Sequence, residues 1–416
     1  MLRVIELFAG VGGFRLGLEA TKEFDVVWGN QWEPSKKAQD AFDCYTRHFN
    51  NKGIHSNEDI STVDEKSLRD MNIEVLVGGF PCQDYSVARS LSNEKGIQGK
   101  KGVLFWEIVR FVSEIRPRYV LLENVDRLLK SPSKQRGRDF SIMLASFRDL
   151  NYTVEWRVIN AAEYGQAQRR RRVFIFAIRN DTPYVERMSV IESRNMLHQE
   201  GFFANVFPTA EIHSEKHIPN SFELPKDILE ISDQFSAKYL NGGIMRNGVV
   251  YTEELIPIVE QFITLGEILE QDVEEKYYLN ESAIEKYKYL KGPKRIERIS
   301  ATGHKYIFSE GGMVFPDSLD KPGRTMLTSE GTVNRSSHVV QDPQTNRLRI
   351  LTPKECERLN GFPDNWTEGM SDRMRYFCMG NALVVGLIER MGRQILKIEK
   401  EDSKVAENKP KQLSLF

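Results

Sequence analysis

The chain has 416 residues, enough for two or three domains and a substantial buried core. Hydrophobic residues make up 40% and charged residues 28%, which excludes a disordered chain. The 58 Lys and Arg nearly balance 59 Asp and Glu, a formal charge of −1, which excludes a histone-like polycation but leaves room for a local basic groove.

The first 180 residues alternate short apolar runs with amphipathic stretches. Strands are predicted at Val4–Phe8, Val26–Trp28, Val75–Val77, Tyr119–Leu122 and Val173–Ile178. Helices are predicted at Leu16–Ala20, Lys36–Cys44, Leu104–Ile115 and Ser141–Leu150. That alternation implies βαβ units and a parallel sheet, with ligands beyond the carboxyl ends of the strands. From about Asn180 to Asn346 the pattern weakens into a mixed, turn-rich stretch with Gly-Gly pairs at 242–243 and 311–312. It is expected to form a second domain of irregular α+β character. Helical periodicity returns at Pro353–Leu359 and Leu383–Ile398. Residues Glu399 to Lys411 carry four acidic and four basic side chains, the composition of a solvated linker.

No apolar run approaches the ~20 residues of a membrane span. Glu6 falls where a signal peptide would stay apolar, so a cytoplasmic protein without membrane partners is expected. None of the four cysteines (Cys44, Cys82, Cys356 and Cys378) has CxxC or zinc-finger spacing. They are expected to be reduced thiols, with no metal bound.

The unusual residues follow the strands. Phe8-Ala9-Gly10-Val11-Gly12-Gly13 joins the first strand to a helix, and such a turn lets a ligand approach the backbone. A plain βα turn has the same composition. A dinucleotide fingerprint would need a third glycine that the spacing lacks, which disfavours a dehydrogenase. Pro81-Cys82-Gln83 puts a cysteine just after the third apolar run, Val75–Val77, between Gly78-Gly79 and a polar stretch, Asp84–Gly102, suited to a lid. Most cysteines are inert small hydrophobes, and this context is what singles Cys82 out. Glu123 directly follows an apolar strand, where an acid serves either catalysis or the cap of the next helix. Arg169 to Arg172 run into a strand, so Arg170 and Arg172 should share one face and Arg169 and Arg171 the other.

Together these blocks resemble the DNA cytosine-C5 methyltransferases. Phe8 to Gly13 is similar to the family's cofactor motif, Pro81-Cys82-Gln83 to its nucleophile motif, Glu123-Asn124-Val125 to its acid motif, and Gln168-x-Arg170-x-Arg172 to its arginine motif. Arg349 with Leu351–Cys356 and Gly361-Phe362-Pro363 resembles the block supporting target recognition, and Gly380-Asn381-Ala382-Leu383 the closing cofactor motif. The resemblance implies an α/β, Rossmann-like, S-adenosylmethionine-dependent large domain (1–180 plus 380–398). A smaller irregular target-recognition domain (181–379, including the supporting motif at 347–366) and a charged flexible tail (399–416) complete the implied organisation.

By resemblance Cys82 is the nucleophile, Glu123 contacts N3 and the exocyclic amine of cytosine, Arg172 holds O2, and Arg170 supports the pocket. A stacked base is out of reach, so the cytosine must flip out of duplex DNA. For S-adenosylmethionine the resemblance implies Phe8, Gly10 and Gly13 at the methionine end, Trp32 on the adenine and Asp59 and Ile60 at its edge. Pro81, Leu104 and Asn381 would complete the pocket. The family's glutamate before the tryptophan is here Gln31, which puts ribose binding in question; Ala167 and Lys101 also depart from the family pattern.

Residues 322–331, with Asn334 and Arg335, are the predicted recognition loop, with Arg324, Ser329 and Arg335 as DNA contacts alongside Ser86 and Arg89 of the lid. An ordinary polar loop is the competing reading. The final Gln412-Leu413-Ser414-Leu415-Phe416 resembles the peptide by which bacterial proteins bind the replicative sliding clamp, against an apolar end folding onto its own domain. A restriction–modification role is implied, with an endonuclease partner that needs no direct contact. A tRNA-methylating branch of the family is usually shorter between the arginine and closing motifs than this chain. A silent DNA-binding protein would not need Cys82, Glu123 and Arg172 together.

Overall fold

The computed structural model describes residues 1–34, 36–80, 104–210, 218–300 and 303–408. The chain forms two compact units: 1–160 with 171–259 and 385–416, and 161–170 with 260–384.

The first unit is built on a sheet. Its strands are β1 (Leu2–Leu7), β2 (Phe24–Asn30), β3 (Ile54–Ser56), β4 (Val75–Gly79), β5 (Tyr119–Val125), β6 (Tyr152–Asn160) and β7 (Arg171–Arg179). After a two-residue β8 (Thr209–Ala210) come β9 (Asn220–Glu223), β10 (Gly242–Arg246), β11 (Val249–Glu253) and the short β12 (Ile256–Pro257), which pairs with β8. Among the described residues the large sheet has ten strands in the order β3-β2-β1-β4-β5-β7-β6-β10-β11-β9. Strands β1 to β5 are parallel, and the chain order reverses between β1 and β4, where such sheets open a crevice.

The other half departs from the all-parallel expectation. Strand β7 runs antiparallel between β5 and β6, and β10, β11 and β9 continue antiparallel beyond β6. Only ten residues, 161–170, separate β6 from β7. A parallel crossover needs about a dozen or more. The boundary expected at 180 shifts for a related reason: β9 to β11 extend the sheet, so 181–259 belong to the first unit. Gly242-Gly243 opens β10 rather than a turn. A Cβ on Gly243 would lie 2.1 Å from the Trp156 ring, so only glycine admits that packing.

Helices α1 (Gly13–Glu19), α2 (Asp40–Phe49), α3 (Leu104–Ile115), α4 (Arg138–Asp149), α5 (Pro183–Met188) and α6 (Ile228–Gln234) also belong to this unit. The expected helix at Lys36–Cys44 is displaced towards the C-terminus as α2. On α3, Phe105, Ile108, Phe111 and Val112 repeat at helical spacing and are fully buried. The core joins them to Leu7, Leu76, Val120, Leu122 and Val173 of the sheet.

In the second unit lie α7 (Glu281–Lys291), the hairpin β13 (Lys294–Ile299) and β14 (Lys305–Glu310), and the hairpin β15 (Val339–Gln341) and β16 (Leu348–Ile350). Helices α8 (Pro353–Leu359) and α9 (Asp372–Asn381) follow. Arg349 is buried and forked onto Glu355 (2.8 and 2.7 Å), with its Nε on Asp342 (2.7 Å). Glu355 also completes the capping box of α8 with Thr352.

The chain ends in α10 (Val385–Asn408), part of the first unit. Leu387, Ile388, Met391, Ile395 and Ile398 form its buried stripe, and a Cβ on Gly17 of α1 would lie 2.7 Å from that of Ile388. The helix runs ten residues past Ile398, where a solvated linker was expected. Glu399 pairs with Arg118 and accepts from the Tyr119 hydroxyl (2.8 Å), and Asp402 pairs with Arg187 (2.8 Å). Gln412, Leu413, Leu415 and Phe416 lie outside the described residues. Among the described residues no helix is long and apolar enough to cross a membrane.

Candidate active site

The turn after β1 takes a left-handed backbone three times: Phe8 (φ 56°), Gly10 (φ 57°) and Gly12 (φ 89°). Two hydrogen bonds tie it to the end of β2. Ala9 N donates to Asn30 O (2.9 Å), and Gly10 N donates to the Gln31 side-chain oxygen (2.7 Å). A Cβ on Gly10 would meet nothing within 4 Å, so a space opens over the turn, while one on Gly12 would strike Phe49 at 2.6 Å. Gly13 is buried and begins α1.

Around this space the sheet brings further expected residues of the first unit. Asn30 Nδ2 donates to the Ser56 hydroxyl (3.2 Å) and Glu58 O (3.0 Å), fixing the loop after β3. That loop carries Asp59, whose carboxylate accepts from Ser61 N (3.0 Å), and the buried Ile60. Trp32 is 37% exposed, a large ring left free to stack. Leu104 is half-buried at the start of α3. The Gln31 oxygen is engaged by Gly10, so its NH2 is what remains for a ligand. Glu33 pairs with Lys36 through Oε1 (3.0 Å), while its buried Oε2 accepts from no donor among the described residues.

The second cluster lies at the carboxyl ends of β4 and β5. Because β7 is antiparallel, its first residues reach the same end of the sheet as Glu123. Arg172 Nε and Glu123 Oε1 pair at 2.8 Å, both side chains more than four-fifths covered. Gly79 pairs in register with Glu123, and a Cβ there would sit 3.6 Å from Glu123 Oε2. Asn124, given no role from the sequence, is buried. Its Nδ2 donates to Phe80 O (2.8 Å), and its Oδ1 accepts from Val125 N (2.8 Å). It therefore holds the residue directly before Pro81-Cys82. Pro81, Cys82, Ser86 and Arg89 themselves lie outside the described residues.

In the second unit the arginine run resolves differently. Strand β7 begins at Arg171, so Arg170 is not on a strand with Arg172. Arg170 is buried and donates to the carbonyls of Met326 (3.2 Å), Gly380 (3.1 Å) and Asn381 (3.4 Å), a positioning role within that unit. Gln168 is buried beside it, donating to the Asn360 side chain (2.8 Å) and accepting from Met326 N (3.1 Å). Asn381 ends α9 with its side chain exposed.

Two expected DNA contacts are instead bound to the protein. Arg324 forks onto Asp317 (2.6 and 3.0 Å) and donates to Ser336 O and Ser337 O. Arg335 donates to the carbonyls of Leu290 (2.7 Å), Gly292 and Gly311 and pairs with Glu310 (3.1 Å). A guanidinium has five N–H donors in a fixed fork, and most of them are committed here. Ser329 stays exposed, its carbonyl accepting from Asn334 (2.8 Å).

Comparison with known proteins gives a consistent picture. Residues 2–397 match the family model of the C-5 cytosine-specific DNA methylases. The chain is 57% identical over 400 residues to the Type II methyltransferase M.Sau3AI of Staphylococcus aureus, covering 96% of each. It is 25% identical over 394 residues to the Type II methyltransferase M.HhaI of Haemophilus parahaemolyticus, covering 95% of this chain and 94% of that one. Among solved structures, a DNMT2 mutant of Spodoptera frugiperda superposes with a TM-score of 0.58 at 15% identity, over 96% of this chain and 99% of that one, a likeness of fold.

Proposed function

This chain belongs to the C-5 cytosine-specific DNA methylase family, and from that premise we propose that it methylates C5 of a cytosine flipped out of duplex DNA, through a covalent bond between Cys82 and C6. We further propose that it is the modification enzyme of a restriction–modification system, as the Type II relatives' names suggest. The observation that carries the catalytic reading is the Glu123–Arg172 pair at the carboxyl end of the sheet.

The first unit fits S-adenosylmethionine. The open space over Gly10, the exposed Trp32 ring and the Asp59–Ile60 loop suit the amino acid, adenine and adenine edge of that cofactor. When bound it supplies an electrophilic methyl group. The residues do the rest. A Cys82 thiolate adds to C6, forming an S–C6 bond and making C5 nucleophilic. Arg172 donates to the base's O2, and Glu123 engages N3 and the exocyclic amine as charge develops there. Once C5 is methylated its proton leaves to a base, and the C6–S bond breaks to return the thiolate. Asn124, through Phe80, fixes where the Cys82 segment departs from β4.

The test is a duplex carrying 5-fluorocytosine, whose fluorine cannot leave as the proton does. Wild-type protein with S-adenosylmethionine should form a complex that survives denaturing electrophoresis, and Cys82→Ala should form none. An equally stable complex in Cys82→Ala would refute the assignment of the nucleophile.

A further inference from the structure

Among the described residues the hairpin of β13 and β14 is covered on neither face. Its pairing runs from Lys294–Glu310 to Ile299–Lys305, and paired residues share a face. Arg298 and Phe308 lie on one face, the guanidinium 3.9 Å from the ring centre. Arg295, Ile299, Ile307 and Lys305 lie on the other. Ile299 is 67% and Ile307 52% exposed. An isolated two-stranded ribbon is only marginally stable in water, and exposed apolar residues on a protruding element mark a binding surface.

The root of the ribbon is the opposite of its tip. Arg335 grips both ends, through Leu290 and Gly292 before β13 and Glu310 and Gly311 after it. Buried Lys291 donates to Arg335 O (3.3 Å) and Ser337 O (2.6 Å). Arg324, locked to Asp317, holds the neighbouring carbonyls. The arginines expected to meet DNA thus brace the base of this hairpin.

Charge selects the occupant. Residues 294–310 hold four Lys and Arg against two Glu. Lys294 and Glu310 pair at the root (3.5 Å), which leaves Arg295, Arg298 and Lys305 against Glu297 towards the tip. Among the described residues Arg295 and Lys305 pair with no acid. A second copy of the same cationic ribbon would be repelled, and a polyanion attracted. Six paired residues span about 20 Å, and two strands fit a major groove about 12 Å wide. We propose that the paired strands 294–299 and 305–310 enter the major groove of duplex DNA, with Arg295, Arg298 and Lys305 as their contacts. This rests on the cytosine-methylation reading and names the element that meets that substrate.

The test compares wild type with R295A/R298A/K305A, as full chains, on a duplex containing a site that wild type methylates. The duplex is made with guanine or with 7-deazaguanine, which lacks the major-groove N7 acceptor. Wild type should bind the 7-deazaguanine duplex about tenfold more weakly. The triple variant should bind the ordinary duplex at least about tenfold more weakly than wild type, and with a shallower salt dependence. It should ignore the 7-deazaguanine change and keep its melting temperature and S-adenosylmethionine affinity, since all three side chains are outside the core. A triple variant that binds and methylates like wild type, or that keeps the 7-deazaguanine penalty, would overturn the ribbon while leaving the methyltransferase reading intact. A wild-type chain that methylates no duplex would fail that reading and the ribbon with it.

Discussion

Beneath the glycine turn, Glu6 is fully buried on β1 and accepts from the Tyr45 hydroxyl of α2 (3.1 Å), which in turn accepts from Arg15 of α1 (3.2 Å). The Tyr45 ring also fills the space left by Gly12 and Gly29. Burial pushes the Glu6 carboxyl up from 4.5 to about 8, more than Tyr45 and Arg15 can offset. The folded chain therefore holds a proton there that the unfolded chain has lost. Its contribution to stability is complete below about pH 4.5 and disappears as pH rises through about 8. Wild-type stability should fall relative to Glu6→Gln by up to about 1 kcal/mol per pH unit across that window. Urea melts of both proteins from pH 5 to 8.5 would show it. A constant difference between them would mean that Glu6 is not held neutral. Glu123, Arg172 and the glycine turn were legible in the sequence because each is local to one motif. The roles of Asn124 and Arg335 were not, because Asn124's partner is 44 residues away and Arg335's lie 24 to 45 away.

Among the elements, strands β1, β4 and β5 were legible because a parallel strand buried on both faces is a continuous apolar run. Strand β6, Tyr152–Asn160, was not. Glu155 and Arg157 interrupt its run as if solvated, yet both are buried: Glu155 accepts from Phe202 N (3.1 Å), and Arg157 donates to Phe207 O (2.6 Å). The same error in reverse made a linker of the end of α10. Its charges past Ile398 have partners at the start of the central strand β5 and on α5, information absent from composition. Removing both anchors, Glu399→Ala with Asp402→Ala, should cost about 2 kcal/mol. That is a fall of a few degrees in melting temperature for a chain of this size. A solvated tail would lose nothing, and an unchanged melt would contradict the docking of this segment.

At the scale of the molecule, the chain leaves its first compact unit at 160, lends ten residues to the second, returns at 171 and departs again at 260. Arg170 and Arg172, two residues apart, therefore belong to different units: one braces carbonyls, the other pairs with Glu123. The overall class was legible because the motifs recur in one order along the chain; the unit boundary was not, because β9 to β11 are short antiparallel strands with little apolar signal. The central claim is that this assembly marks cytosine in DNA through Cys82. The most direct measurement expresses wild type and Cys82→Ala in cells that lack cytosine methylation and sequences the DNA after bisulfite conversion. The account predicts protected cytosines within one short sequence in the wild type and none in the variant. Soluble wild-type protein that leaves every cytosine convertible would contradict it.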